Sequence, residues 1–414
     1  MTAKQPNVVI VLVDDMGFSD IGATGSEIHT PQLDSLARNG ALFSAMYNCG
    51  RCCPTRAALL TGVYPHRAGI GHMGANLGTQ AYQGFLRDDC ATLGENLRAA
   101  GYRTLLAGKW HVAGDFPARD TRDWPIGAPD HPVPTQRGFD RFYGILDGAT
   151  HFYSPHCVLD GESPVAHFED DYYFTDAITD KAINWLSEPQ ADDAPFFLYL
   201  GHAAPHWPLH ALPNDIAKYE GVYDVGWDAI RTARHESLNG LGVLQEKWDI
   251  TPRDKAAPPW QDVVDPVWES SRMAAYAALV DRVDMSLGLL IAHPKTTGQF
   301  NNTLILFLSD NGGCAEFMAE DGWAKDFPDT THDGQRITKG NLPGLRPGDA
   351  RTYQSYDTPW ANVSNAPFRQ FKHHVHEGGI STPLIAHWPE RIKGGTLTHE
   401  PLHVIDILPT VLEA

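Results

Sequence analysis

Four short apolar runs, each followed directly by a polar cluster, constrain the fold of this chain more than any other feature. The runs are Val8–Val13, Tyr102–Ala107, Phe196–Leu200 and Thr303–Leu308. The polar residues behind them include Asp14, Lys109, His202 and Asp310. Continuous apolar runs of this length are typical of strands that are buried on both faces of a parallel sheet.

Helical patterns alternate with these runs. They are predicted at Pro31–Asn39, Leu93–Ala100, Thr175–Leu186 and Met273–Leu290. The first two are each closed by a glycine, and the last two carry apolar residues at intervals of three and four. The alternation predicts an α/β fold with a large, mostly parallel central sheet flanked by helices. Because ligands bind beyond the carboxyl ends of the strands in such sheets, we expect the polar clusters to converge there.

Two long segments, 208–266 and 315–366, break the alternation. They are rich in Pro, Gly, Asp and Trp, and their periodicity is weak. Segments of this length without regular structure are usually functional loops or disordered, and the aromatic content here favours ordered loops that form the walls of a pocket. Candidate wall residues in or near these segments are Trp207, Trp227, His151 and Tyr353, for which ordinary core packing is the alternative.

The net charge bears on the class of partner. Thirty-two basic residues against 51 acidic ones give a net charge of -19, which argues against nucleic acid and against an anionic membrane surface. An anionic ligand would therefore need a local cluster of positive groups. The run Val8–Val13 is too short for a membrane span or a signal-peptide core, so the chain as written is predicted to be cytoplasmic. It would be periplasmic or secreted if an export signal has been removed.

Two pairs of oxygen-bearing side chains stand at predicted strand ends, Asp14 with Asp15 and Asp310 with Asn311. Hard divalent cations prefer several oxygen ligands, so the two pairs together could enclose Ca²⁺ or Mg²⁺. Either pair alone is also typical of turn residues or helix caps. Their common place at the carboxyl ends of one sheet favours the metal site.

Four further polar residues have similar alternatives. Lys109 and His111 in AGKWH, His206 in APHWP and Lys372 in FRQFKHHVHEGG could each be a solvated charge or a hydrogen-bonded loop residue. The histidines beside Lys372 also resemble a metal-binding tract. The predicted position of these residues at strand ends favours a shared site.

The stretch NCGRCCPTRAALLTG, residues 48–62, holds three of the six cysteines. The overall cysteine spacing fits neither a disulfide framework nor a structural zinc site. Pro54 suits the first turn of a helix, and Gly62 is a stop signal for it. Cys52 is therefore placed at a helix N-terminus, which favours an anion, and Arg56 lies one turn further on.

These motifs together resemble the type I sulfatases, the arylsulfatase family of the alkaline-phosphatase-like fold. The matching pieces are VDDMG, CCPTRAALLTG, GKWH, APHWP, SDNG and the K-x-x-x-x-E-G-G stretch at Lys372, in family order over essentially all 414 residues. The resemblance implies one catalytic domain over 1–414, with insertions at 208–266 and 315–366. It also implies that a maturation enzyme oxidises one cysteine to formylglycine. Only Cys52 has the required Pro54 and Arg56 behind it, and Cys53 stands where the family more often has Ser or Ala.

The resemblance also implies a role for each site residue. Hydrated formylglycine at Cys52 would attack sulfur while bound to Ca²⁺, or alternatively Mg²⁺, with Asp14, Asp15, Asp310 and Asn311 as the other ligands. Lys109, His206 and Lys372 would bind the sulfate group, and Arg56 would hold the nucleophile. His206 would protonate the leaving alcohol, and His111 would accept the proton of the second hydroxyl. These cations would provide the local positive charge that an anionic substrate needs within an acidic chain.

The expected substrate is a small-molecule or carbohydrate sulfate ester, with no nucleic acid or membrane partner. Two other functions remain open: a phosphonate monoester or phosphodiester hydrolase of the same superfamily, and a non-catalytic Ca²⁺- and anion-binding relative. The final segment HVIDILPTVLEA resembles the point where the family's large domain gives way to a smaller C-terminal subdomain. We therefore expect that subdomain to be missing or truncated.

Overall fold

The computed structural model describes residues 5–116, 124–189, 194–245, 248–319 and 327–414. Its strands are β1 (Asn7–Val13), β2 (Ala41–Tyr47), β3 (Arg103–Lys109), β4 (Arg141–Ile145), β5 (Val158–Asp160), β6 (Ser163–Pro164), β7 (Phe196–Gly201), β8 (Thr303–Ser309), β9 (Thr338–Lys339), β10 (Thr352–Tyr353), β11 (Ser381–His387), β12 (Thr396–Thr398) and β13 (Leu402–His403). Its α-helices are α1 (Pro31–Asn39), α2 (Cys52–Thr61), α3 (Pro65–Ala68), α4 (Leu93–Ala99), α5 (Phe174–Ser187), α6 (Pro213–Ile216), α7 (Trp227–Gly240), α8 (Pro266–Thr296), α9 (Asp357–Ser364), α10 (Glu377–Ile380) and α11 (Ile407–Glu413).

The central sheet has a parallel core with antiparallel edges. Its order is β12-β2-β11-β8-β1-β7-β3-β4-β5-β6, and β13 also pairs with β2. Strands β8, β1, β7, β3 and β4 run parallel, whereas β11 is antiparallel to both β2 and β8, and β5 is antiparallel to β4. The predicted α/β class with a large central sheet is confirmed, and the sheet is mixed rather than uniformly parallel.

All four predicted strands are present in this core. Every residue of β1, β7 and β8 is buried, as expected for continuous apolar runs with helices on both faces. The parallel register pairs Val8 with both Phe197 and Leu304, so the carboxyl ends of the three strands meet at one edge. The backbone N–H of Asp310 donates to the carbonyl of Val13 at 3.0 Å and joins two of these ends directly.

The predicted helices are also present, with ends set by local chemistry. Helix α1 has the predicted bounds, and α8 begins earlier than predicted because the side chain of Asp265 accepts from the backbone N–H of Trp268 and caps its first turn. Helix α2 ends where Gly62 takes a left-handed conformation with φ of 66°. Within the described ranges, no helix is both long and apolar enough to cross a membrane.

The segment 208–266 is less irregular than its sequence suggested. It contains the 14-residue helix α7, whose buried face includes Arg231 and Arg234. Arg234 pairs there with Asp20 and Glu27 at 2.6 and 2.7 Å. Because charged residues occupy buried positions of this helix, its apolar periodicity is weak, and a prediction from hydrophobic spacing misses it.

Candidate active site

The start of α2 places Cys52 at the edge where the strands of the sheet end. The chain leaves β2, turns at Asn48–Arg51 and enters the helix at Cys52, where the hydroxyl of Thr55 accepts from the backbone N–H of Cys49 at 3.0 Å. Cys52 and Cys53 are both 1% exposed. A hydrogen bond from Cys53 and the charges of His111, Lys109 and Lys372 bring the pKa of Cys52 well below that of an ordinary thiol, against the effect of burial. The pocket around residue 52 therefore favours negative charge.

Arg56 ties the helix to two strand ends. Its Nε and Nη2 donate to Oδ2 of Asp310 at 3.0 and 2.8 Å, and its Nη1 donates to the carbonyl of Lys109 at 2.9 Å. Both side chains of the pair are fully buried. One buried guanidinium thus fixes the relative positions of α2, β3 and β8.

Two lysines point at the acidic pair behind β1. The Nζ of Lys109 pairs with Oδ2 of Asp14, and the Nζ of Lys372 lies 2.9 and 3.0 Å from the two oxygens of Asp15. Burial lowers the pKa of each lysine, but the facing carboxylate outweighs it, so both pKa values lie above the usual range. Two fixed ammonium groups are therefore present beside residue 52.

Two acceptor oxygens in this cluster lack a hydrogen-bond partner within the described part of the chain. They are Oδ1 of Asp14 and Oδ1 of Asn311, and both are buried. The Nδ2 of Asn311 donates to Asp15 at 2.7 Å, and Oδ1 of Asp310 accepts from the backbone N–H of Asp15 at 3.4 Å, so the four side chains are adjacent. A buried oxygen without a donor is costly, and a hard cation supplies what these oxygens lack. The donor set therefore fits a hard divalent cation.

Two histidines also belong to this site. Nε2 of His206 lies 3.5 Å from Oδ2 of Asp15, and its Nδ1 lies 2.6 Å from the carbonyl of Trp207, which can only accept. The proton of neutral His206 is therefore on Nδ1, and Nε2 faces the pocket. His111 follows β3, and one of its ring nitrogens lies within 4.8 Å of the sulfur atoms of Cys52 and Cys53, which are as close to each other.

A wall of the pocket contains a carboxylate that the sequence did not single out. Oε2 of Glu316 accepts from the indole N–H of Trp207 at 2.5 Å, and Oε1 lies 2.7 Å from Nε2 of His373. The ring of Trp207 is 4.3 Å from that of His206 and 6.0 Å from that of Tyr353. Glu316 lies only four residues after the end of the SDNG motif, but its role in the wall depends on partners remote in sequence, so no local pattern identified it.

The other candidate wall residues lie elsewhere. Trp227 packs against Trp260 and Trp360 with ring centroids 4.7 and 5.5 Å apart, and it is 2% exposed. The Nε2 of His151 bonds to the carbonyl of Ala350 at 2.7 Å, and its ring lies 4.1 Å from that of His210. Both residues therefore have packing roles. The histidines beside Lys372 form no metal-type cluster in the described ranges.

The structure thus brings all ten predicted site residues to one edge of the sheet. They are Asp14, Asp15, Cys52, Arg56, Lys109, His111, His206, Asp310 and Asn311, joined by Lys372 from the loop before α10. Most are fully buried, and the acidic and basic members are paired with one another. An anion that enters this pocket meets fixed cations in a setting of low dielectric constant, which strengthens their attraction.

The sequence of this chain is similar to those of known proteins. The model of the family described as Sulfatase matches residues 6–414. An uncharacterised sulfatase of Schizosaccharomyces pombe is 33% identical over 99% of this chain and 75% of its own length. An arylsulfatase of Klebsiella aerogenes is 30% identical over 99% of this chain and 86% of its own length.

Solved structures show the same fold. The crystal structure of Ps i-CgsB has a TM-score of 0.66 at 26% identity, covering 99% of this chain and 72% of that one. A second structure of the same protein holds k-i-k-neocarrahexaose. The phosphonate monoester hydrolase of Agrobacterium radiobacter has a TM-score of 0.57 at 19% identity, covering 99% of this chain and 73% of that one, and shares the fold. With a family match over nearly its whole length, the chain belongs to the sulfatase family and is a sulfuric ester hydrolase.

Proposed function

We propose that this chain hydrolyses sulfate monoesters of aryl or other alcohols, carbohydrates included, with formylglycine derived from Cys52 as its nucleophile. The observation that carries the proposal is the convergence of a buried Cys52 with two lysines and an incompletely satisfied oxygen cluster. Sulfate-ester cleavage needs a nucleophile, neutralisation of the sulfate oxygens and a proton for the leaving oxygen. Residues for all three needs surround one pocket.

The metal part of the proposal concerns Asp14, Asp15, Asp310 and Asn311, which would hold Ca²⁺ beside residue 52. When bound, the cation would lower the pKa of a hydroxyl and neutralise a sulfate oxygen. The unpartnered oxygens of Asp14 and Asn311 support this assignment.

The remaining residues divide the chemistry between them. Lys109 and Lys372 bind the sulfate oxygens, and Arg56 holds residue 52 in line with sulfur through the start of α2. As the new bond from oxygen to sulfur forms, the bond from sulfur to the alcohol oxygen would break, and that oxygen would take a proton from Nε2 of His206. Because the proton of the neutral ring is on Nδ1, His206 must bind a second proton at Nε2 before this step. His111 then accepts the proton of the second hydroxyl at residue 52, so that the carbon–oxygen bond to sulfate breaks and the aldehyde is restored.

The wall around Trp207 would receive the alcohol part of the ester. Trp207 and the partly buried Phe327 belong to one apolar cluster beside His206, and the fully buried Tyr353 packs against both of them. Aromatic faces of this kind suit an aryl group or a sugar ring. The crystal structure of Ps i-CgsB, which shares the fold, is a complex with k-i-k-neocarrahexaose and supports a carbohydrate ester as one class of substrate.

The nucleophile is tested by peptide mass and two cysteine variants. Protein made with the maturation enzyme should carry a peptide over residues 52–56 that is lighter than the thiol form, with fragment ions placing the change at Cys52. Cys52→Ala should remove essentially all sulfate hydrolysis, whereas Cys53→Ser should keep or raise it. Cys90→Ser is the control, because it removes a thiol that lies outside the site. A mass change at position 53, or an active Cys52→Ala variant, contradicts the assignment.

The reaction class is tested with two esters of the same phenol. Turnover of an aryl sulfate should exceed turnover of the corresponding aryl phosphodiester. The opposite preference would identify a phosphodiester or phosphonate monoester hydrolase that uses the same residues.

A further inference from the structure

A second group of metal-type ligands lies beside the oxygen cluster and differs from it in chemistry. The sulfur atoms of Cys52 and Cys53 and one ring nitrogen of His111 lie within 4.8 Å of one another. All three residues are buried, the two cysteines at 1% exposure and the histidine at 9%. The group contains no carboxylate, whereas the cluster at Asp14 and Asp15 contains two.

The imidazole of this group is held rigidly. The backbone N–H of His111 donates to the carbonyl of Leu146 at 3.1 Å, and its φ of 57° is an uncommon conformation for a residue with a side chain. The ring lies against Gly148, where a Cβ would come within 2.6 Å of two ring atoms. Its Nδ1 is buried and has no hydrogen-bond partner among the described residues. A fixed imidazole with an unsatisfied nitrogen is suited to be a ligand.

The ligand set and its spacing fit a borderline-soft cation. In a tetrahedral zinc site, bonds of about 2.3 Å to sulfur and 2.0 Å to nitrogen place neighbouring ligand atoms about 3.5 to 3.8 Å apart. Atoms within 4.8 Å of one another therefore need to move by about 1 Å or less to reach that geometry. Two thiols and an imidazole are typical ligands of Zn²⁺ and poor ligands of Ca²⁺.

We propose that the chain with an unconverted Cys52 binds Zn²⁺, or another divalent cation of that class, through Cys52, Cys53 and His111. The nearby ammonium groups of Lys109 and Lys372 do not oppose this strongly, because they are already paired with Asp14 and Asp15. Both thiols lose their protons to solvent on binding, and water completes the coordination.

The test is a titration with Co²⁺, which gives a near-ultraviolet charge-transfer band only when sulfur is a ligand. The protein is made without the maturation enzyme and shown by peptide mass to hold an intact thiol at Cys52. Excess Ca²⁺ keeps the oxygen cluster occupied. One equivalent of Co²⁺ should give the band, and Zn²⁺ should displace it.

Two variants and one control decide the assignment. Cys53→Ser should weaken Co²⁺ binding at least about tenfold and reduce the band, since loss of a direct ligand should cost no less than loss of an outer partner. His111→Asn should weaken binding with the sulfur band retained. Cys90→Ser makes the same thiol-to-hydroxyl change beside Arg67 and Asp89, outside the group, and should titrate like the parent.

Absence of the band in the parent protein, or an equal band and affinity in Cys53→Ser, would overturn the proposal. The readout is independent of turnover. If Cys52 is never converted and the proposed nucleophile is wrong, the cobalt band still appears. If the zinc site is wrong, sulfate hydrolysis by the matured protein is unaffected.

Discussion

The carboxylate of Glu316 offers a sharp test of how the wall of the pocket supports His206. Its two oxygens take separate hydrogen bonds, one from the indole of Trp207 at 2.5 Å and one with His373 at 2.7 Å. Trp207 in turn provides the carbonyl that lies 2.6 Å from Nδ1 of His206. Burial raises the pKa of Glu316, but Lys372 and these hydrogen bonds outweigh it and hold the pKa below the usual range. Glu316 is therefore ionised at neutral pH.

Glu316→Gln keeps the shape of this side chain but removes its charge and one acceptor oxygen. The remaining oxygen makes a neutral hydrogen bond, weaker by about 1 kcal/mol, and the amide group leaves the other donor unpaired at a cost of about 1 kcal/mol or more. If this loss of about 2 kcal/mol displaces Trp207 and His206, kcat/KM falls by up to about 30-fold. The fall should be largest for esters that need a proton on the leaving oxygen.

The assay compares phenyl sulfate, a poor leaving group, with 4-nitrophenyl sulfate, an activated one. Glu316→Gln should lose several-fold more activity on the first ester than on the second. Trp207→Phe removes the same hydrogen bond from the other side, so the double variant should lose less than the product of the two single losses. Glu220→Gln, a change in a surface pair with Arg346, is the control.

An equal loss on both esters would show that Glu316 acts through sulfate binding rather than through His206. No loss on either ester would show that the wall does not position His206 at all. A fall in thermal stability alone, with kinetics unchanged, would also refute the reasoning.

Three further predictions follow from the same structure. Removal of divalent cations by a chelator should abolish turnover, and addition of Ca²⁺ should restore it. Full activity in protein shown by elemental analysis to be metal-free would contradict the proposed metal site at the oxygen cluster. His206→Ala should slow esters with poor leaving groups far more than activated aryl sulfates, and an equal loss would assign His206 to sulfate binding instead. Burial lowers the pKa of His202 to about 3, whereas the same histidine in the unfolded chain binds a proton below about pH 6.5. Because only the unfolded chain binds this proton between these two values, the free energy of unfolding falls as the pH drops from about 6.5 towards 3. Between pH 7 and pH 5 this histidine should account for about 2 kcal/mol of the decrease in the free energy of unfolding. Urea unfolding of His202→Asn should therefore show a decrease between these pH values that is smaller by about 2 kcal/mol, and a decrease equal to that of the parent would refute the role of His202.

Much of the architecture was readable from local sequence. The strand runs Val8–Val13 and Thr303–Leu308 are apolar throughout because both faces of the sheet are covered, and that pattern is visible without any partner. Helix α2 was likewise predicted from Pro54 and Gly62, since a helix start and a left-handed stop depend on neighbours only. Helix α7 was missed because Arg231 and Arg234 on its buried face form ion pairs and carbonyl contacts that periodicity does not register.

The candidate site was likewise predicted in part from local sequence. The motifs around Asp14, Lys109 and Asp310 follow predicted strands, so the parallel sheet alone places them at one edge. Cys52 opens a predicted helix, but the strand β2 before it was not predicted, so the family motif rather than the sheet pattern assigned Cys52 to the site. Sequence by itself therefore determined the fold class, the family and the residues that gather at that edge.

Only the tertiary structure decided which of these residues touch. The indole of Trp207 meets Glu316 across 109 residues, and Cys52 and Cys53 at the start of α2 meet His111, which follows β3. Such contacts depend on strand order and on how loops fold over the strand ends. Local propensity carries no information about either, because hydrogen bonds and ligand groups form between whichever side chains the packed backbone brings within a few ångströms.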